Sequence, residues 1–305
     1  MAVIAVFVTV LAVQLSRSRI HFEARWLGVC MLLTVGQLLL EAAVWQSLLA
    51  AQRIRHPYPK TLVASLASQY LGLITPGHVG EFLAAGYISM NTGITFGYAL
   101  SSVVMKKTLF WIVMLGFGIW SLPLLADVPF LHGAGQIVST SAVALAVLSA
   151  GVALWVVSLR RLTKKWERLS PWQIERTEFW SGMRRLSSPR LIVPLGLAAA
   201  AFSLLFFQLG AVLRSMGLAL PLLLIGQLVA LSRLAARLAP LSLVGLGTKD
   251  LAVVVLLSRQ GIEPTLGVTA VLLLLVGSYF VTLLLSGVCW RIKPLVIRRL
   301  APSSS

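Results

Sequence analysis

Acidic side chains are scarce in this chain. Its 305 residues hold 9 Asp and Glu against 26 Lys and Arg, and charged residues of both signs make up only 11%. A soluble domain carries about 25% charge, so a soluble globular protein is excluded. Cysteine is nearly missing too. Cys30 and Cys289 both lie in apolar runs and form neither a disulfide framework nor metal-ligand spacing. The four histidines, His21, His56, His78 and His132, are scattered, and neither a nucleophile elbow nor a GxxxxGK phosphate loop occurs. No catalytic constellation is visible, so we expect no enzyme, no cofactor and no metal.

Apolar sequence fills the space that charge leaves. The chain is 58% hydrophobic, with a mean hydropathy of +0.91. Its runs far exceed the roughly 10 residues of a barrel strand, which predicts an all-α, polytopic integral membrane protein. The net charge of +17 does not call for nucleic acid, because the basic residues sit in short loops and at helix ends. There they set topology and meet anionic headgroups.

We read residues 1–305 as a single transmembrane domain. Repeat one covers about 26–126, a linking span 136–159, a basic loop 160–190, repeat two 191–290, and a basic tail 291–305. Ala2 to Leu15 reads as a short first span, since a basic leader and a cleavage site are lacking. Full spans are expected at Trp26 to Ala51, Ala99 to Ala126, Gln136 to Leu159, Leu191 to Leu213 and Leu266 to Trp290. Four segments are too short to span alone: Leu62 to Thr75, Glu81 to Met90, Pro221 to Ala239 and Thr248 to Ser258. Taken in consecutive pairs they fit two re-entrant hairpins.

Each hairpin is built from the same parts. An apolar half-helix stops at Pro76 or Pro240. A glycine-bearing turn follows, with Gly77 and Gly80 or with Gly245 and Gly247. Then comes an acid, Glu81 or Asp250, and a Gly-Ile pair closes the copy 12 or 11 residues later.

The loop 160–190 holds nine Lys/Arg against three Glu, with Trp166, Trp172, Phe179 and Trp180 interleaved. That mixture suggests a helix lying in the interface. The positive-inside rule places the loop and the C-terminus in the cytoplasm, and the protein in the cytoplasmic membrane. Counting crossings, the loop at Asp127 is outside, the first hairpin opens to the cytoplasm and the second to the exterior. The linking span thus inverts repeat two, an architecture of secondary transporters. The same count leaves Arg17, Arg19 and Arg25 outside, against the charge rule.

The two turns resemble motifs of the lysylphosphatidylglycerol synthase transmembrane family, also called the flippase-like family. Its Pro-Gly-x-x-Gly-Glu is matched by Pro76, Gly77, Gly80 and Glu81. Its Pro-x-Ser-x-x-Gly-x-Gly-x-basic-acid is matched by Pro240, Ser242, Gly245, Gly247, Lys249 and Asp250. The resemblance covers roughly Trp26 to Trp290. Two positions depart from the family pattern: Ala84, Ala85 and Gly86 stand where a basic residue is common, and Lys106-Lys107 where an acid-basic pair is. The resemblance implies the membrane part alone, without the aminoacyl-transferase domain that some members add, and a role in moving lipid.

Several polar residues are candidates on their own chemistry. Arg233 and Arg237 share a helix face before Pro240, and Lys249 begins the next half-helix. A helix N-terminus with arginines nearby suits a phosphate headgroup, while long cationic side chains also snorkel to the interface. Lys106 and Lys107 join this headgroup-binding set. Glu81 and Asp250 read as helix caps or, paired with Lys106, Lys107 or Lys249, as a gate. Glu41, inside a span, is a proton-coupling carboxylate or an interhelical contact. His78 reads as a solvated turn histidine.

Three functions fit: a transporter of an anionic phospholipid or polyprenyl-phosphate-linked lipid, a noncatalytic subunit docking a membrane-associated glycosyl- or aminoacyl-transferase, or an intramembrane lipid-modifying enzyme. The first is preferred, with anionic membrane lipids as partners and no nucleic acid. The oligomeric state is open.

Overall fold

The structure is a computed structural model. It describes residues 22–75, 80–122, 173–186, 191–238, 242–243 and 246–292. Helices dominate these residues: α1 Ala24–Ala51, α2 Tyr58–Ile74, α3 Leu83–Thr92, α4 Phe96–Trp120, α5 Gln173–Leu186, α6 Ile192–Ser215, α7 Leu222–Leu238, α8 Thr248–Arg259, α9 Pro264–Leu274 and α10 Val281–Ile292. A π-helical turn, Leu275–Phe280, joins α9 to α10. The expected all-α class needs one small amendment. Ser242–Leu243 (β1) and Leu246–Gly247 (β2) pair antiparallel across the second motif's turn.

Among the described residues four helices are long and apolar enough to cross a membrane: Ala24–Ala51, Phe96–Trp120, Ile192–Ser215 and Pro264–Ile292. The others fall short. At 1.5 Å per residue, the 17 residues of α2 or of α7 reach only about 26 Å, less than the roughly 30 Å of a hydrocarbon core. Within each short pair the members pack together, α2 with α3 and α7 with α8. Leu32, Ile192, Leu251 and Leu284 are largely exposed, as the lipid-facing side of such helices requires.

Local chemistry explains the helix ends. Pro59 sits in the first turn of α2, where its missing N–H costs nothing. The first half-helix, expected from Leu62, therefore begins earlier, at Tyr58. Glu263 precedes Pro264 at the start of α9 in the same way. The last span was expected to run unbroken from Leu266 to Trp290. Instead the π-helical turn interrupts it, and Thr34 Oγ1 donates to the Gly277 carbonyl at 3.0 Å.

The chain divides into two compact units. One holds the described parts of Met1–Gln37, Trp111–Val157 and Ala199–Thr282; the other those of Leu38–Phe110, Ser158–Ala198 and Leu283–Ser305. We name them by their motif acids, the Asp250 unit and the Glu81 unit. In the Asp250 unit, Phe117 stacks on Phe202 and meets Phe206 edge-on, at centroid distances of 5.3 and 5.2 Å. Gln37 and Gln208 pair at 2.8 Å in the same unit. In the Glu81 unit, Trp45 is buried with its indole N–H on Ser102 Oγ at 2.9 Å. There Tyr70 stacks on Trp290.

Helix α5 comes from the basic loop and belongs to the Glu81 unit. Phe179 and Leu186 are buried, while Ile174 and Trp180 stay exposed. Its Glu175 carboxylate accepts from the Gly97 N–H. A Cβ on Gly97 would overlap the Glu175 carbonyl, so the helix seats on bare backbone. Trp166 and Trp172, part of the expected interface helix, lie outside the described residues, as do the first span and the linking span.

Candidate functional site

Among the described residues each unit holds a cluster of charge among its apolar helices. In the Glu81 unit the chain leaves α2 at Thr75, whose hydroxyl donates to the Leu71 carbonyl at 2.7 Å and accepts from the Gly80 N–H at 2.8 Å. A Cβ on Gly80 would lie 2.5 Å from the Leu71 carbonyl oxygen, so only glycine allows this return. Glu81 follows at once, and Lys107 Nζ meets its Oε2 at 2.7 Å. The same ammonium lies 5.3 Å from the Phe82 ring centroid. Lys106 Nζ donates to Ser65 Oγ at 3.2 Å, and Gln69 Nε2 donates to Glu41 Oε2 at 2.7 Å.

The expected cap at Glu81 is corrected here. Helix α3 starts at Leu83 behind Phe82, with no side-chain cap bond. Glu81 lies in the turn before it, where a tertiary partner on α4 outcompetes local capping. Glu41 makes the interhelical contact, through Gln69. The set of Glu41, Glu81, Lys106 and Lys107 sums to zero formal charge. Trp45, Ser65, Ser68, Glu81, Ala84, Val103, Lys106 and Lys107 enclose a recess of about 10 Å³. That admits about one water and no lipid headgroup.

The Asp250 unit is balanced differently. Asp250 is buried at the start of α8, and its Oδ2 accepts the Gly247 N–H at 2.9 Å. Gly247 is the N-cap, and Asp250, the third helical residue, reaches back to its N–H as the acid of a capping box does. Its other oxygen lies 3.8 Å from Lys249 Nζ. Arg233, on α7, is near enough to Lys249 for the two cations to repel. Among the described residues two cations, Arg233 and Lys249, lie near this one acid.

Arg237 is helical on α7, one turn after Arg233, and its side chain lies outside the described residues, as does that of Ser242. Pro76, Gly77, His78, Pro240 and Gly245 also lie outside them. The structure thus brings together Glu81 with Lys107, and Arg233 with Lys249 and Asp250. Sequence reasoning missed Ser65 and Gln69. Their signal was present: two polar residues four apart, on one face of a largely apolar helix that also carries Ser68. Among the described residues no group of three metal-ligating side chains occurs.

The helices and buried charge define a polytopic membrane protein. The family model for the lysylphosphatidylglycerol synthase TM region matches residues 1–286, and the chain belongs to that family. Membership gives it a membrane, lipid-related function. No curated protein and no solved structure matches it.

Proposed function

We propose that the protein is a noncatalytic, flippase-like transporter that binds an anionic phospholipid or a polyprenyl-phosphate-linked lipid and carries its headgroup across the membrane. One observation carries this reading: two cations, Arg233 and Lys249, meet beside the glycine-rich start of α8. Cations gathered within a membrane domain favour a bound anion, and phosphate is the anion that membranes supply. The guanidinium of Arg233 can grip two phosphate oxygens at once. The acyl chains would stay in lipid while the headgroup meets the cations.

Broken helices support the transport reading. In the Glu81 unit, Gln52 Nε2 reaches the Tyr98 carbonyl at 3.4 Å, and Tyr98 Oη donates to the Gln52 carbonyl at 3.2 Å. The chain between them, with α2 and α3, therefore starts and finishes at one place, as a re-entrant hairpin must. The helices α7 and α8 are likewise each too short to span and pack against each other, and two such pairs in inverted orientation would give alternating access. The transferase-docking alternative would use α5, but Phe179 and Leu186 already spend one face of that helix inside the unit.

The test is reconstitution into liposomes with a headgroup-labelled lipid and an impermeant quencher. Wild type should accelerate lipid translocation, and Arg237→Gln should slow it while the protein still inserts and folds. Undiminished translocation by folded Arg233→Gln and Arg237→Gln would refute a headgroup site here. Orientation is checked separately: an impermeant thiol reagent applied outside should label Gly133→Cys and spare Ser170→Cys.

A further inference from the structure

Between α1 and α2 lies a second basic feature that plays no part in the transport reading. Gln46, Ala50, Arg53, Ile54, Arg55, His56 and Pro57 line a shallow, open recess of about 650 Å³ in the Glu81 unit. Its wall is fixed from within. Gln46 Nε2 donates to the His56 carbonyl at 2.7 Å, Thr61 Oγ1 donates to Gln46 Oε1, and His56 Nδ1 lies 2.9 Å from Thr61 Oγ1. None of these bonds uses an arginine. Arg53 and Arg55 are exposed, and among the described residues neither pairs with a carboxylate.

The backbone adds an independent sign. Among the described residues, four have a left-handed φ: Gly93, Gly217 and Gly261 at 71°, 74° and 79°, and Arg53 at 61°. All four follow a helix end. At Arg53 the helix closes through Arg53 N–H to the Ala50 carbonyl and Ile54 N–H to the Leu49 carbonyl, both at 2.9 Å. Glycine fills this position without strain and any other side chain pays for it. The chain uses glycine three times and arginine where the recess is. A cation at a helix C-terminus gains from the dipole, but lysine would supply that equally and would not need the recess.

We propose that this recess binds a phosphate group held by the guanidinium forks of Arg53 and Arg55. The planar fork matches two phosphate oxygens, and among the described residues no carboxylate pairs with either arginine. The phosphate can belong to a lipid headgroup or to a soluble phosphate ester.

Two probes separate these sources, both applied to the full chain in neutral phosphatidylcholine nanodiscs. Glycerol 3-phosphate is titrated calorimetrically, and phosphatidylglycerol doped into the disc is scored by native mass spectrometry. Arg53→Gly relaxes the backbone while removing the fork, so its thermal midpoint should hold or rise while binding falls about tenfold or more. Arg53→Lys should recover part of the binding, and Arg55→Gln gives a second variant with no backbone change. Loss for the lipid alone identifies a headgroup site, loss for the ester alone a soluble ligand, and loss for both a general phosphate site. Wild-type binding of both probes by Arg53→Gly and Arg55→Gln, or no binding of either probe by wild type, overturns the proposal. Because Arg233, Lys249 and Arg237 are untouched, translocation can survive in these variants whatever the outcome.

Discussion

The Glu81 and Asp250 clusters come from matching stretches of sequence, yet they balance charge in opposite ways. At Glu81 each cation has a near partner, Lys107 on the acid and Lys106 on Ser65, and the formal charges cancel. At Asp250 the acid accepts the Gly247 N–H at the start of α8, and Lys249 stands farther from it, at 3.8 Å, with Arg233 beside Lys249. The same acid after the same kind of turn therefore does tertiary work in one copy and local work in the other. A neutral cluster closes a wall, whereas a cationic one leaves an attraction for an anion. The first should matter most for stability and the second most for binding.

The largest effect should follow from breaking the closed cluster. Lys107→Met leaves Glu81 without its ammonium in a setting where both side chains are about one-quarter exposed, 27% and 24%. Partial exposure reduces the cost of a broken buried pair to about 2–3 kcal/mol, read as a lower thermal midpoint in detergent. The double variant Glu81→Gln/Lys107→Met should regain most of it. If Lys249→Met destabilises as much as Lys107→Met, the contrast between the clusters is wrong.

Next in size is the effect on lipid. Lys249→Gln should weaken retention of phosphatidylglycerol by about tenfold, the value of one charge-assisted contact. Lys107→Gln should leave retention nearly unchanged in protein that remains folded. Native mass spectrometry at matched lipid load reads both, and equal losses would merge the two clusters into one site.

The smallest effect sharpens the sign. Asp250→Asn keeps an oxygen for the Gly247 N–H but removes the acid beside Lys249. Anionic lipid should then bind about threefold more tightly, within the range of exposed electrostatic terms. The gain should shrink as salt is raised. Weaker binding would mean that Asp250 organises the site rather than opposing the anion.

Much of this architecture was legible in the sequence, because membrane helices announce themselves through length and apolarity. Thr248 to Ser258 was expected and Thr248–Arg259 is found. The stops near Pro76 and Gly93 follow from ring sterics and from a left-handed residue. The site was only half legible. Capping is a local property, so Asp250 could be read from its spacing to Gly247. The Glu81 partner lies 26 positions away on α4, and no spacing within the motif encodes it. Ser65 and Gln69 carried a signal weaker than charge. The π-helical turn left none, since the extra residue at Leu275–Phe280 is accommodated by a distant hydroxyl, Thr34.

The tie between Gln52 and Tyr98 also constrains the order in which the protein can be made. It joins positions 46 apart, and closing a loop of that length costs about 3 kcal/mol in chain entropy. Two hydrogen bonds near a membrane surface do not comfortably hold it. The cover that reinforces it is α5, where Gly182 sits against Ser101 and Gln52 and where Glu175 holds Gly97. That helix leaves the ribosome more than seventy residues after Tyr98. A nascent chain stopped before residue 173 has therefore made both halves of the first hairpin but not the clamp that keeps its ends together, and pulse-proteolysis of stalled chains should find residues 52–98 open until α5 has emerged.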